Sequence, residues 1–87
     1  MVILVNKENE MSKYFIRYHD NKYDIAEVHA DYTDEAIRLF CESELQSEIR
    51  MDWENVRVNV SSSNTFEKFT TYEVNLIPQQ FHLKILY

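Results

Sequence analysis

The 87-residue chain contains no glycine. Every reversal of the backbone must therefore be made by residues that carry a Cβ, with Asn and Asp as the best substitutes in the left-handed region. The absence also excludes whole classes of chemistry. A Walker-type phosphate loop, a dinucleotide fingerprint and a nucleophile elbow all need glycine at defined positions. A calcium loop of the EF-hand type is excluded for the same reason.

Eighty-seven residues make one domain with a modest core. Hydrophobic residues are 45% of the chain, which points to a folded protein rather than an acidic tail. Residues 11–87 read as a single α+β domain. Residues 1–10 read in either of two ways. Lys7-Glu8 fits a translated purine-rich ribosome-binding sequence ahead of a start at Met11, making the segment a non-native leader. Alternatively, Val2-Ile3-Leu4-Val5 is an edge strand.

Periodicity supplies the elements. Tyr14 to His19 is a strand, Asp20-Asn21-Lys22 a turn, and Tyr23 to Tyr32 a second strand. Ala26, Val28, Ala30 and Tyr32 share one face of that strand, with Glu27, His29 and Asp31 on the other. Thr33 is a suitable N-cap, and Asp34 and Glu35 suit the first turn of a helix running to about residues 47–50. Val56, Val58 and Val60 mark a third strand, and Phe66 to Leu76 a fourth, closed by Pro78. Phe81, Leu83, Ile85 and Tyr87 mark a fifth strand, at an edge. The order ββαβββ predicts a two-layer sandwich, an antiparallel sheet of four to five strands under one amphipathic helix.

Charge is unevenly distributed. Residues 20–54 carry a net charge of −8 and the remainder +2. The second strand and the helix therefore form an acidic pole. At about 100° per residue, Ile37, Phe40, Cys41 and Leu45 make an apolar stripe, yet Glu44 and Glu48 fall inside it. A buried carboxylate needs a partner. Either the helix overruns the sheet, or Arg50, Arg57 or a partner protein meets these acids.

Catalytic chemistry finds little support. His19, His29 and His82 lack metal-ligand spacing, and Cys41 has no partner cysteine. Cys41 reads as a core residue. His29, flanked by Glu27 and Asp31, reads as part of a polar face. The expectation is no enzyme, no catalytic residue, no metal and no cofactor. The net charge of −6 argues against direct nucleic-acid binding, and no apolar run is long enough to cross a membrane.

Size, acidity, lack of catalytic motifs and the hairpin–helix–sheet pattern around Asp31-Tyr32-Thr33-Asp34-Glu35-Ala36 resemble the small acidic anti-defence proteins of phages and mobile elements, including anti-CRISPR proteins and other DNA mimics. The resemblance is one of kind and brings over no specific residue. It implies an inhibitor, acting in the cytoplasm of a bacterial host cell, that presents carboxylates to the basic groove of a nuclease or other nucleic-acid-handling protein. The candidate contacts are Glu27, Asp31, Asp34, Glu35, Glu42, Glu44 and Glu48, with Tyr32 and Trp53 as aromatic anchors. The alternative is a non-catalytic module that self-assembles or dimerises through a sheet edge.

Overall fold

A computed structural model describes residues 12–46, 53–76 and 80–87. The expected order is borne out: β1 (Ser12–Tyr18), β2 (Ala26–Ala30), α1 (Thr33–Gln46), β3 (Trp53–Ser61), β4 (Thr70–Leu76) and β5 (Phe81–Ile85). Among the described residues the strands form one antiparallel sheet in the order β2-β1-β3-β4-β5, with β2 and β5 at its edges. The connection from edge strand β2 to central strand β3 passes over β1, and α1 occupies that crossing. The fold is an α+β two-layer sandwich. Residues 1–10, Arg50 and Pro78 lie outside the described residues.

The core lies between helix and sheet. Ile16, Ala30, Val56, Val58, Val60 and Val74 face Ala36, Ile37, Phe40 and Cys41. Trp53 is completely buried. Its indole stacks on Tyr18 at 5.6 Å, and Phe40 meets it edge-on at 6.0 Å. Each such side chain contributes about 1.5–3 kcal/mol by leaving water. The aromatic trio joins β1, α1 and β3 at one point.

The other face of the sheet has its own small cluster. Arg17 lies 4.0 Å over the ring of Phe66 and 5.4 Å from that of Phe69. Beneath it, Asn59 Oδ1 accepts the Thr71 hydroxyl at 3.0 Å and lies 3.2 Å from His19 Nδ1.

Several boundaries differ from the periodicity. Tyr23 and Ile25 belong to the β1–β2 loop, where Tyr23 is 94% exposed. Tyr32 also lies beyond its strand and is exposed, because β2 ends at Ala30 and the chain bends into the helix. Thr33 is not the N-cap. The Tyr32 carbonyl accepts the Ala36 N–H at 3.0 Å, which makes Tyr32 the capping position and puts Thr33 in the first turn. Glu35 Oε1 accepts the Asp31 N–H at 3.0 Å, which ties the first turn of the helix to the residue before the cap. β4 begins at Thr70, so Phe66 belongs to the preceding loop.

Positive φ falls on Asn55 (56°) and Phe66 (55°) among the described residues, and not in the turn at Asp20-Asn21. Asn55 sits where the β3–β4 register shifts between Trp53 and Val56. Its N–H donates to Asn75 Oδ1 at 2.8 Å, which anchors the irregularity from the neighbouring strand. Such a bulge allows Trp53 and Val56 to face the same core although they are three residues apart.

Candidate protein-binding groove

The helix packs its apolar face down, so its opposite face is open. Asp34, Glu35, Arg38, Leu39 and Glu42 lie along that face by the 3.6-residue repeat. Together with Tyr32 and Phe81 they line a groove of about 390 Å³ between α1 and the start of β5. Four of the residues expected from sequence therefore converge: Tyr32, Asp34, Glu35 and Glu42. Asp31 adjoins them through its N–H bond to Glu35.

The groove has an aromatic and aliphatic floor and a carboxylate rim. Tyr32 is 71% exposed and Leu39 41%. The Arg38 guanidinium lies 5.6 Å over the Phe81 ring, which lays its charge across the floor. Asp34 Oδ1 accepts the Glu35 N–H at 2.9 Å, which fixes its side chain against the first turn. Among the described residues, Asp31, Asp34, Glu35 and Glu42 make no ion pair.

The remaining candidates lie elsewhere. Glu27 is on the far face of the sheet, where His29 Nε2 sits 2.8 Å and Lys13 Nζ 3.8 Å from its Oε2. The His29 hydrogen bond, helped by Lys13, holds this carboxyl below its usual range. The acidic pole expected for β2 and α1 is thus split between two faces. Trp53 is not an anchor for a partner, because it is sealed in the core. Glu48 lies outside the described residues.

Glu44 does sit on the buried side of the helix, and one partner of its carboxylate is internal. The Tyr18 hydroxyl donates to Glu44 Oε1 at 2.6 Å. Arg57 does not serve that role: it stands on the opposite face of the sheet, level with Glu73. Cys41 is fully buried, and burial, with Glu42 and Glu44 nearby, pushes its thiol up to about 12. That is the behaviour of a core residue.

The groove residues that sequence reading missed are Arg38, Leu39 and Phe81. The helical repeat places Arg38 and Leu39 beside Glu35 and Glu42. No local signal places Phe81 there, since only the tertiary arrangement brings the start of β5 alongside the helix. Among the described residues no group of His, Cys, Asp and Glu is arranged to hold a metal ion. No helix among them is long and apolar enough to cross a membrane. No known protein family matches the chain, and comparison with curated proteins and solved structures finds no significant match.

Proposed function

We propose that this protein is a small acidic inhibitor of the anti-defence kind, working in the cytoplasm of a bacterial host. Its target is a host nucleic-acid-handling protein, such as a CRISPR or other defence nuclease, and it binds the basic groove of that target. The observation that supports this reading is the unpaired carboxylate rim of the α1–β5 groove. Asp34, Glu35 and Glu42 span about 12 Å of helix at ~1.5 Å per residue. A nucleic-acid strand presents a phosphate every ~3.4 Å. The rim is a sparser row of the same sign, held on a rigid helix instead of a flexible tail. A row of this kind steers a basic partner and makes association fast and salt-sensitive. Tyr32 and Phe81 add the apolar contact that charge alone lacks.

The test is capture from a bacterial lysate, comparing the native chain with the Asp34→Asn, Glu35→Gln, Glu42→Gln variant. The native chain is expected to retain a nucleic-acid-binding protein that high salt releases and that DNA or RNA displaces. The triple variant is expected to lose it. Equal retention by both proteins sinks the reading.

A second reading, self-assembly through the β5 edge, is favoured by Ile85 and Tyr87, which are 68% and 66% exposed at that edge. Light scattering on the native chain and on Ile85→Lys distinguishes it. A dimer that the lysine abolishes supports self-assembly, and a monomer in both cases removes it.

A further inference from the structure

On the face of the sheet turned away from α1, four donor-bearing residues meet on the central strands. Arg17 and Asn59 are directly paired across β1 and β3. His19 and Arg57 follow as the next pair, joined by the His19 N–H and the Arg57 carbonyl at 2.9 Å. Asn59 is completely buried, yet its Nδ2 meets no acceptor among the described residues, and neither does the buried Nε of Arg17. We propose that this quartet is a binding site for a phosphate group, with the loop that carries Phe66 and Phe69 as its cover.

A buried donor without an acceptor is costly, and two of them on directly paired residues share one remedy, an oxygen acceptor between them. Paired Cβ atoms lie roughly 5 Å apart, so a single group can reach both donors. Asn59 is held ready for this. The buried Thr71 hydroxyl donates to its Oδ1 at 3.0 Å, and His19 Nδ1 lies 3.2 Å from the same oxygen. These contacts take up the amide oxygen and leave the nitrogen as the unused arm. Arg17 is held by its ring contact. Its guanidinium lies 4.0 Å over Phe66, so its face is occupied and its edge N–H groups are left to donate. Among the described residues neither Arg17 nor Arg57 forms an ion pair. Glu73 stands opposite Arg57 on β4 and is not bonded to it.

The chemistry selects the ligand. The two orphaned atoms are both donors and no carboxylate belongs to the quartet, so the group that completes it is an anion. The fork of a guanidinium matches the oxygens of a phosphate, which a spherical chloride does not offer. Two guanidinium charges suit a dianion, and a tetrahedral phosphate has more free oxygens for these donors than a planar carboxylate has. Both orphaned donors are buried, so the phosphate enters as the cover moves. Phe69, the exposed outer ring at 5.4 Å from the guanidinium, is the part that swings aside. Phe66 beneath it is tied by its N–H to the Ser63 carbonyl at 3.1 Å and stays with the site. The quartet lies on the opposite side of the sheet from the α1–β5 groove. It goes beyond the inhibitor reading and stands whether or not that groove binds a target.

The experiment titrates the full chain with inorganic phosphate and, separately, with methyl phosphate, against sodium chloride at equal ionic strength. Proton–nitrogen NMR follows the Arg17 Nε–H and the Asn59 side-chain amide. Phosphate is expected to give saturable shifts at both groups, and chloride none. An equal response to methyl phosphate identifies the ligand as a phosphate ester, and a response to inorganic phosphate alone identifies it as the free ion; both support the site. Arg17→Lys keeps the charge and loses the fork, and Arg57→Gln removes the second charge at an exposed position. Each should weaken binding roughly tenfold or more, the worth of a charge-assisted bidentate contact. Circular dichroism should show the fold retained in Arg57→Gln, so that its loss of binding is not a loss of structure. Asp34→Asn should leave the affinity unchanged. Three results would each overturn the proposal: equal shifts with phosphate and chloride, undiminished binding by either arginine variant, or Asn59 amide protons bonded to Thr71 and His19 with the amide oxygen turned to Arg17.

Discussion

The Tyr18 hydroxyl donates to the Glu44 carboxylate at 2.6 Å, across the seam between β1 and α1. The same tyrosine ring stacks on Trp53 and lies 5.4 Å from Phe40. One side chain therefore satisfies an acid on the buried face of the helix and completes the aromatic core. Tyr18→Phe keeps the ring and removes the donor. The expected loss is about 1–2 kcal/mol, the usual worth of a hydrogen bond to a charged group at a partly exposed site. Glu44→Gln, whose amide oxygen still accepts, should lose less. Urea denaturation of both variants measures the difference, and a Tyr18→Phe midpoint equal to that of the native chain would contradict the role assigned to this bond.

Cys41 supplies a pH-dependent prediction. Its thiol, ordinarily near 9.0, is pushed up to about 12 by burial and by Glu42 and Glu44. The folded state therefore holds the proton more tightly than the unfolded chain does. The stability linked to Cys41 is complete below pH about 9 and falls as the pH rises towards 12. A neutral thiol in the core should also resist alkylation. Labelling with iodoacetamide at pH 8 is expected to be negligible without urea and rapid with it. Fast labelling of the folded chain would place Cys41 at a reactive surface instead.

Glu27 shifts in the opposite direction. His29 chiefly, and Lys13, hold its carboxyl below 4.5. Stability linked to this group is present above the unfolded value and is lost as the pH falls through the folded one. Carboxyl NMR should give Glu27 a midpoint below that of a free glutamate. His29→Ala should move it up, and a midpoint unmoved by that substitution would assign the shift to Lys13 alone.

Asn55 adopts a φ of 56° without the freedom of glycine. Asn55→Gly should be neutral or slightly stabilising, since glycine takes this conformation at no steric cost. Asn55→Val should lose about 1–2 kcal/mol, because a β-branched residue is strained there. Thermal melts of the two variants report the outcome directly. Equal melting temperatures would mean that the bulge relaxes when Asn55 changes.

The alternation of apolar residues and the single helical repeat, each a local property, were enough to determine the ββαβββ order and to place β5 at an edge. The helix face that bears Asp34, Glu35 and Glu42 was legible for the same reason, since three residues on one helix have a relation set by 3.6 residues per turn. What local pattern does not contain is the position of one element over another. The tertiary arrangement brings Phe81 beneath Arg38 and turns an acidic helix face into a groove. It also puts Tyr18 beside Glu44, 26 residues away, which removes the apparent anomaly of an acid on the buried stripe. Trp53, an anchor by composition, becomes core because a register shift at Asn55 turns it inward. Glu27 leaves the acidic pole because successive residues of β2 alternate between opposite faces of the sheet while the helix covers only one. The sequence by itself determined which residues carry charge and which can be buried. Only the tertiary structure decided which charges share a surface, because that depends on contacts between elements distant along the chain.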